Sequence, residues 1–177
     1  IGLPLPDTEM CIRDEDGRDL VAGQVGEIYI RGPQVMSGYW QQESETSNVL
    51  GSDGYFRTGD IGLMDDAGYF KIVDRKKDMI LVAGFNVYPN EVEDIVASIP
   101  GVVECAVVGV RQTSSGEAVK LFVVREDLNI TESLIMDVCN RELTHYKRPT
   151  QIEFRESLPK NNVGKILRRV LRDESNT

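Results

Sequence analysis

The chain has 177 residues, 41% hydrophobic and 28% charged, with a formal net charge of −9. That length holds one ordinary domain or two small ones and can bury a core. The composition excludes a low-complexity chain, the acidic balance argues against nucleic acid as a partner, and no apolar run approaches the ~20 residues of a membrane span.

The chain begins at Ile1, without a methionine, in the Gly-Pro-rich turn Gly2-Leu3-Pro4-Leu5-Pro6. The expectation is a piece of a longer protein. Met10-Cys11-Ile12 reads as a strand before the turn cluster Asp14-Glu15-Asp16-Gly17. Glu27 to Arg31 alternates with period two, which sends Ile28 and Ile30 to a core. A short helix is expected over 43–49. Ile61 to Met64 and Tyr69 to Val73 flank Asp65-Asp66-Ala67-Gly68 and predict a hairpin. Up to residue 74 the sequence is that of an antiparallel β subdomain.

The style changes near residue 75. Asp74-Arg75-Lys76-Lys77-Asp78 has no apolar member and is the expected solvated linker. Met79 to Val82 predicts a strand, and Gly84 a close approach or a tight strand-to-helix turn. Pro89 suits the first position of a helix whose buried face is Val92, Ile95, Val96 and Ile99, stopped by Pro100-Gly101. Val102 to Val110 and Val119 to Val124 read as buried strands. Thr131 to Leu143 is an amphipathic helix, Ile152 to Phe154 a strand, and a last helix is expected from about Ile166. The order β-α-β-β-α-β-α predicts a small sheet with helices packed on it. The fold class is therefore α+β, with a β subdomain over 1–74 and an α+β domain over 75–177.

Charge is uneven. Residues 1–75 carry six Lys and Arg against fourteen Asp and Glu, and residues 76–177 fourteen against fifteen. Lys160, Lys165, Arg168, Arg169 and Arg172 form a local basic stretch without an acid. It fits either a small polyanion or a solvated helix face. The cysteines Cys11, Cys105 and Cys139 are scattered among apolar neighbours, which predicts free thiols and no disulfide framework. The single histidine, His145, has no Gly-x-Ser-x-Gly elbow to serve and no cysteine cluster for zinc, so it reads as a solvated residue at a helix end.

Three stretches carry chemistry. In Thr58-Gly59-Asp60 the glycine permits a sharp turn that leaves Asp60 at a strand start, where a carboxylate can accept from a diol or cap the turn. The 65–68 hairpin returns Arg75 toward it, as a plain ion pair or part of a ribose clamp. In Pro159-Lys160-Asn161-Asn162-Val163-Gly164-Lys165, Lys165 follows a glycine turn and opens an arginine-rich helix. A mobile ammonium there suits developing negative charge on a phosphate or carboxylate. A Walker loop is excluded: Pro159 stands where its first glycine belongs, and Ile166 follows the lysine.

Gly26-Glu27, Gly32, Gly38-Tyr39-Trp40, Thr46, Phe56 to Asp60, Asp74-Arg75, Gly84 and Pro159 to Lys165, in this order and spacing, resemble the acyl-CoA synthetases of the adenylate-forming superfamily. The likeness covers the whole chain and looks closest to bacterial long-chain fatty acid–CoA ligases, through 73–82, 84–91 and 164–169. It implies that 1–74 ends a large AMP-binding domain and that 75–177 is a mobile C-terminal lid. It implies Asp60 on the ribose hydroxyls of ATP with Arg75 assisting, Asn86 reaching the nucleotide, and Ala83, Gly84 and Phe85 lining the pantetheine tunnel of CoA. Lys77 falls at the hinge and Lys165 at the adenylation lysine. Fatty acid, ATP and CoA are the implied substrates. Mg²⁺ would be held mainly by residues upstream of Ile1, and none of these site residues is expected to ligate metal. The phosphate loop and acyl pocket are also expected upstream, so these 177 residues alone are expected to be inactive. A ligase for another carboxylate, or a non-catalytic binding domain with the lid fold, is the alternative. The resemblance implies a cytoplasmic enzyme, compatible with peripheral contact at the inner face of the cell membrane.

Overall fold

A computed structural model describes residues 1–113 and 115–176. The chain divides into two compact units, Ile1–Lys77 and Asp78–Thr177.

The first unit is a four-stranded antiparallel meander: β1 (Glu9–Arg13), β2 (Gly26–Arg31), β3 (Phe56–Met64) and β4 (Phe70–Arg75), in that spatial order. The helix α1 (Glu43–Val49) lies in the β2–β3 connection, where the sequence places it. Ile12, Ile28 and Phe70 form the core, with Met10, Leu20, Ile30 and Met64 packed around it. Period-two alternation predicts only Ile28 and Ile30 inward, yet Tyr29 is also buried and Ile30 only partly so. The guanidinium of Arg13 lies 4.8 Å from the centre of the Tyr29 ring and that of Arg57 5.7 Å away, so cations cover the outer face. The expected solvated linker is different in fact. Asp74 and Arg75 complete β4, Lys76–Asp78 form one 3-10 turn, and Asp74 is 1% exposed with its Oδ1 accepting the Arg75 N–H.

The second unit is a five-stranded sheet covered on both faces. β7 (Val102–Gln112) and β8 (Gly116–Arg125) form its long antiparallel pair, with β7 at one edge. The other edge of β8 is shared by β5 (Ile80–Val82), antiparallel, and β9 (Gln151–Phe154), parallel. β6 (Phe85–Val87) adds to β5. Cys105, Val107, Val119, Leu121 and Val123 face α2 (Pro89–Ala97) and α3 (Glu132–Glu142). Ala106, Val108, Val110, Ala118 and Phe122 join Leu158 and Leu171 of α4 (Arg168–Ser175) on the opposite face. Alternate residues enter different cores, which is why these strands read as unbroken apolar runs. Pro89 occupies the start of α2, and Thr131 caps α3 by accepting the Leu134 N–H.

Two elements differ from expectation. The 83–88 segment is no strand-to-helix turn: β5 and β6 form a hairpin with Ala83 (φ 49°) and Gly84 (φ 85°) as its two loop residues. Positive φ at both is what a type I′ turn requires. A three-residue strand with one apolar member facing in is too short for a periodic signal. The last helix begins at Arg168, because Ile166 bridges back to Lys160 in a small hairpin. Cys105 and Cys139 are buried free thiols and Cys11 is half-buried. His145 is exposed in a 3-10 turn.

Candidate functional site

In the first unit the strands bring Asp60 and Arg75 directly opposite each other across β3 and β4. Arg75 Nε lies 2.7 Å from Asp60 Oδ1. Asp60 does not start a strand; it lies inside β3, at an irregularity in the β2–β3 register. Thr58, Gly59 and Asp60 face only Ile28 there, so the backbone bulges and Gly59 takes φ +69°. The Thr58 hydroxyl donates to the Ile28 carbonyl (2.8 Å) and accepts the Asp60 N–H (3.0 Å). A cleft of about 400 Å³ beside the bulge is bordered by Tyr39, Arg57, Gly59 and Lys76. Glu27, which the sequence marks only within the Gly26-Glu27 likeness and without a role, is 6% exposed and also borders this cleft. An acid in an alternating strand reads as solvated, and nothing in the sequence announces its buried partners. Lys77 is exposed in the 3-10 turn that follows β4.

In the second unit Ala83, Gly84, Phe85 and Asn86 are exposed together on the β5–β6 hairpin, at the sheet edge. The Ala83 N–H bonds the Ser115 carbonyl, and Phe85 stacks on Tyr146 with ring centres 4.7 Å apart. The Asn86 amide side chain makes no hydrogen bond among the described residues. Left-handed φ at a residue with a Cβ stores local strain, of order 1 kcal/mol.

Lys165 does not open a helix. It sits at the tip of the 160–166 hairpin, in a turn wound around one side chain. Asn161 Oδ1 accepts the N–H groups of Val163 (3.1 Å) and Lys165 (2.9 Å), and the Asn161 N–H donates to the Lys165 carbonyl (2.9 Å). The stem is anchored by Leu158 and Ile166 in the α4-side core. The Lys165 ammonium is exposed and forms no ion pair or hydrogen bond among the described residues.

Two others of the basic stretch are neutralised. Lys160 pairs with Glu104. Arg168 Nε and Nη2 donate to Glu93 (3.0 and 2.5 Å), and Nη2 also donates to Asn90 Oδ1 (2.6 Å). Glu93 further accepts the Val107 N–H at 2.8 Å. This junction ties the start of α4 to α2 and β7, three residues after Lys165. Of the two readings of this stretch, a small-polyanion face or a solvated helix face, neither describes it as a whole: Lys165 is presented at a fixed turn without a partner among the described residues, and Arg169 is exposed nearby. Sequence spacing gives no signal for a pair 75 residues apart. Burial pushes the Cys105 thiol up to about 12, with the carboxylates of Glu93 and Asp94 adding to it, so it is no nucleophile. Among the described residues no group of three or more His, Cys, Asp or Glu could hold a metal.

Two family descriptions match the chain: AMP-binding enzyme over residues 1–40 and AMP-binding enzyme C-terminal domain over 91–165. A protein of Escherichia coli O157:H7 named long-chain-fatty-acid–CoA ligase is 57% identical over 99% of this chain, and the match covers 31% of its own length. The chain thus spans about a third of the curated relatives it matches. Among solved structures, ATP-bound MatB from Rhodopseudomonas palustris aligns with a TM-score of 0.94 and 38% identity, over 98% of this chain and 35% of that one. MenE, an o-succinylbenzoate CoA synthetase from Bacillus subtilis in complex with its acyl-adenylate, aligns with a TM-score of 0.87 and 33% identity, over 96% of this chain and 34% of that one.

Proposed function

The chain belongs to the AMP-binding enzyme family, and we propose that it is the C-terminal part of an ATP-dependent long-chain fatty acid–CoA ligase. The reaction has two steps. A fatty-acid carboxylate attacks the α-phosphate of ATP and releases pyrophosphate; the CoA thiol then attacks the acyl-adenylate and releases AMP. Negative charge spreads over the phosphate oxygens in the first transition state, and a preorganised cation lowers its energy.

Lys165 is assigned that task. The observation that carries it is the exposed, unpaired ammonium on a turn locked by Asn161, while Lys160 and Arg168 beside it are consumed by carboxylates. Asp60 is assigned to the ribose hydroxyls: Arg75 fixes Oδ1, and Oδ2 makes no hydrogen bond among the described residues. Asn86 and the exposed Ala83–Phe85 turn are assigned to the nucleotide and to the pantetheine arm of CoA. Lys77, next to the division between the two units, is assigned to the hinge. Mg²⁺ finds no ligand cluster among the described residues. Among them no helix is long and apolar enough to cross a membrane. The need for ATP and CoA places the reaction in the cytoplasm, and the fatty acid is what would draw the enzyme to a membrane surface. These 177 residues alone are proposed to be inactive, since no phosphate loop is among them.

The test is Lys165→Ala in the full-length enzyme. Acyl-adenylate formation falls by about 10²–10³, the usual loss for one such donor. Thioester formation from supplied acyl-adenylate stays within a few-fold. Equal losses in the two half-reactions would refute the assignment.

A further inference from the structure

Two carboxylates, Glu27 and Asp74, are buried and left unused by the proposed chemistry, and of the two Glu27 borders the cleft beside the β3 bulge. Its two oxygens are divided between two tasks. Oε1 accepts the N–H of Gly59 at 3.3 Å, at the apex of the β3 bulge. Oε2 accepts Lys76 Nζ at 2.8 Å and lies 3.6 Å from Arg57 Nη2. The bulge is thereby held at every residue: Thr58 by the Ile28 carbonyl, Gly59 by Glu27, and Asp60 by Thr58 and Arg75. Gly59, at φ +69°, is the residue least able to hold its own conformation, and Glu27 is what grips it. At a 6% exposed position an apolar side chain would serve stability at least as well as a carboxylate whose Lys76 partner is half-exposed. A carboxylate here, bordering the same cleft as Gly59 and Lys76, is better explained by geometry it must impose than by stability.

We propose that Glu27 is a positioning residue of the nucleotide site, locking the Thr58–Asp60 bulge and Lys76 into one frame so that the Asp60 carboxylate meets the ribose at a fixed position. The proposal rests on the reading of Asp60 as the ribose ligand. Because ATP and the acyl-adenylate carry the same ribose, loss of Glu27 weakens binding of both. That sets it apart from Lys165, whose loss affects only the first half-reaction.

The experiment measures both half-reactions in the full-length enzyme, varying ATP in one and supplied acyl-adenylate in the other. Glu27→Ala raises both KM values about ten-fold, the scale of one lost charge-assisted hydrogen bond, with kcat within about two-fold. Glu27→Gln keeps an acceptor for the Gly59 N–H and recovers most of that loss. Lys76→Met reaches the same carboxylate from the partly exposed side, so it tests the frame even if Glu27→Ala does not fold. It raises the KM for ATP about three-fold, as a weaker, half-exposed contact should. Asp60→Asn is the reference. If Asp60→Asn raises both KM values while the Glu27 and Lys76 variants raise neither, the positioning role is overturned and the ribose assignment stands. If Asp60→Asn raises neither, the ribose assignment itself falls and takes this proposal with it. A lower kcat at unchanged KM in the Glu27 variants means fewer folded molecules, and overturns the proposal in favour of a structural role.

Discussion

Arg168→Met tests whether the junction beneath the Lys165 hairpin is a real structural tie. The Arg168 side chain is 20% exposed and Glu93 16%, so this is a mostly buried pair. The substitution keeps most of the aliphatic volume and removes the donors to Glu93 and Asn90. It leaves the Glu93 carboxylate mostly buried, still accepting the Val107 N–H. Breaking a fully buried pair from one side costs ~3–5 kcal/mol, and residual water access at this site lowers that to about 2–3 kcal/mol. For a domain of about 100 residues this is a fall in Tm of roughly 8–24 °C. The single tryptophan, Trp40, lies in the first unit, so its fluorescence does not report on this event. Calorimetry or far-UV circular dichroism does. The double variant Arg168→Met, Glu93→Met removes both charges and recovers most of the loss. A cost below about 0.5 kcal/mol for Arg168→Met would show an ordinary surface pair and refute the reasoning.

Two further outcomes follow from local geometry. Gly62 is buried where β3 meets β4, and a Cβ there would lie 2.6 Å from the Lys71 carbonyl oxygen and 2.6 Å from Ile28 Cδ1. Since backbone cannot give way cheaply, Gly62→Ala destabilises the first unit by about 1–3 kcal/mol, read as a shifted urea midpoint; an unshifted midpoint contradicts the packing described. The Glu153 carboxyl is held below its ordinary value of 4.5, first by the hydrogen bond from Lys120 and then by Arg155, against the opposing effect of burial. A carboxyl lowered in the folded state stabilises above its unfolded value and loses that contribution as pH falls through the folded one. Urea midpoints at pH 7 and pH 3.5 should therefore differ less in Glu153→Gln than in the parent chain, and identical differences would remove Glu153 from the acid response.

Much of the fold is legible in one dimension because its signals are local. The α1 boundaries, the Pro89 start of α2, the Thr131 cap of α3 and the 65–68 hairpin all depend on residues within a few positions of each other. The misreadings share one cause. Tyr29 is buried on the outer face because Arg13 and Arg57 arrive from neighbouring strands to cover it. Ile166 joins a bridge instead of a helix because Lys160 returns alongside it. The β6 strand exists because β5 offers an edge, not because three residues insist on extension.

The candidate site divides along the same line. Lys165, Asp60, Arg75 and the 83–86 segment stand out in the sequence because turn glycines and charged motifs mark them directly. Glu27 beneath Gly59, and Glu93 clasping Arg168, were decided only by the tertiary structure. A buried charge is tolerated by virtue of its partners, and those partners lie 32 and 75 residues away along the chain. Residue type and order mark which groups are candidates to meet a ligand; only the packed fold sets which charges are neutralised and leaves the Lys165 ammonium without a partner among the described residues.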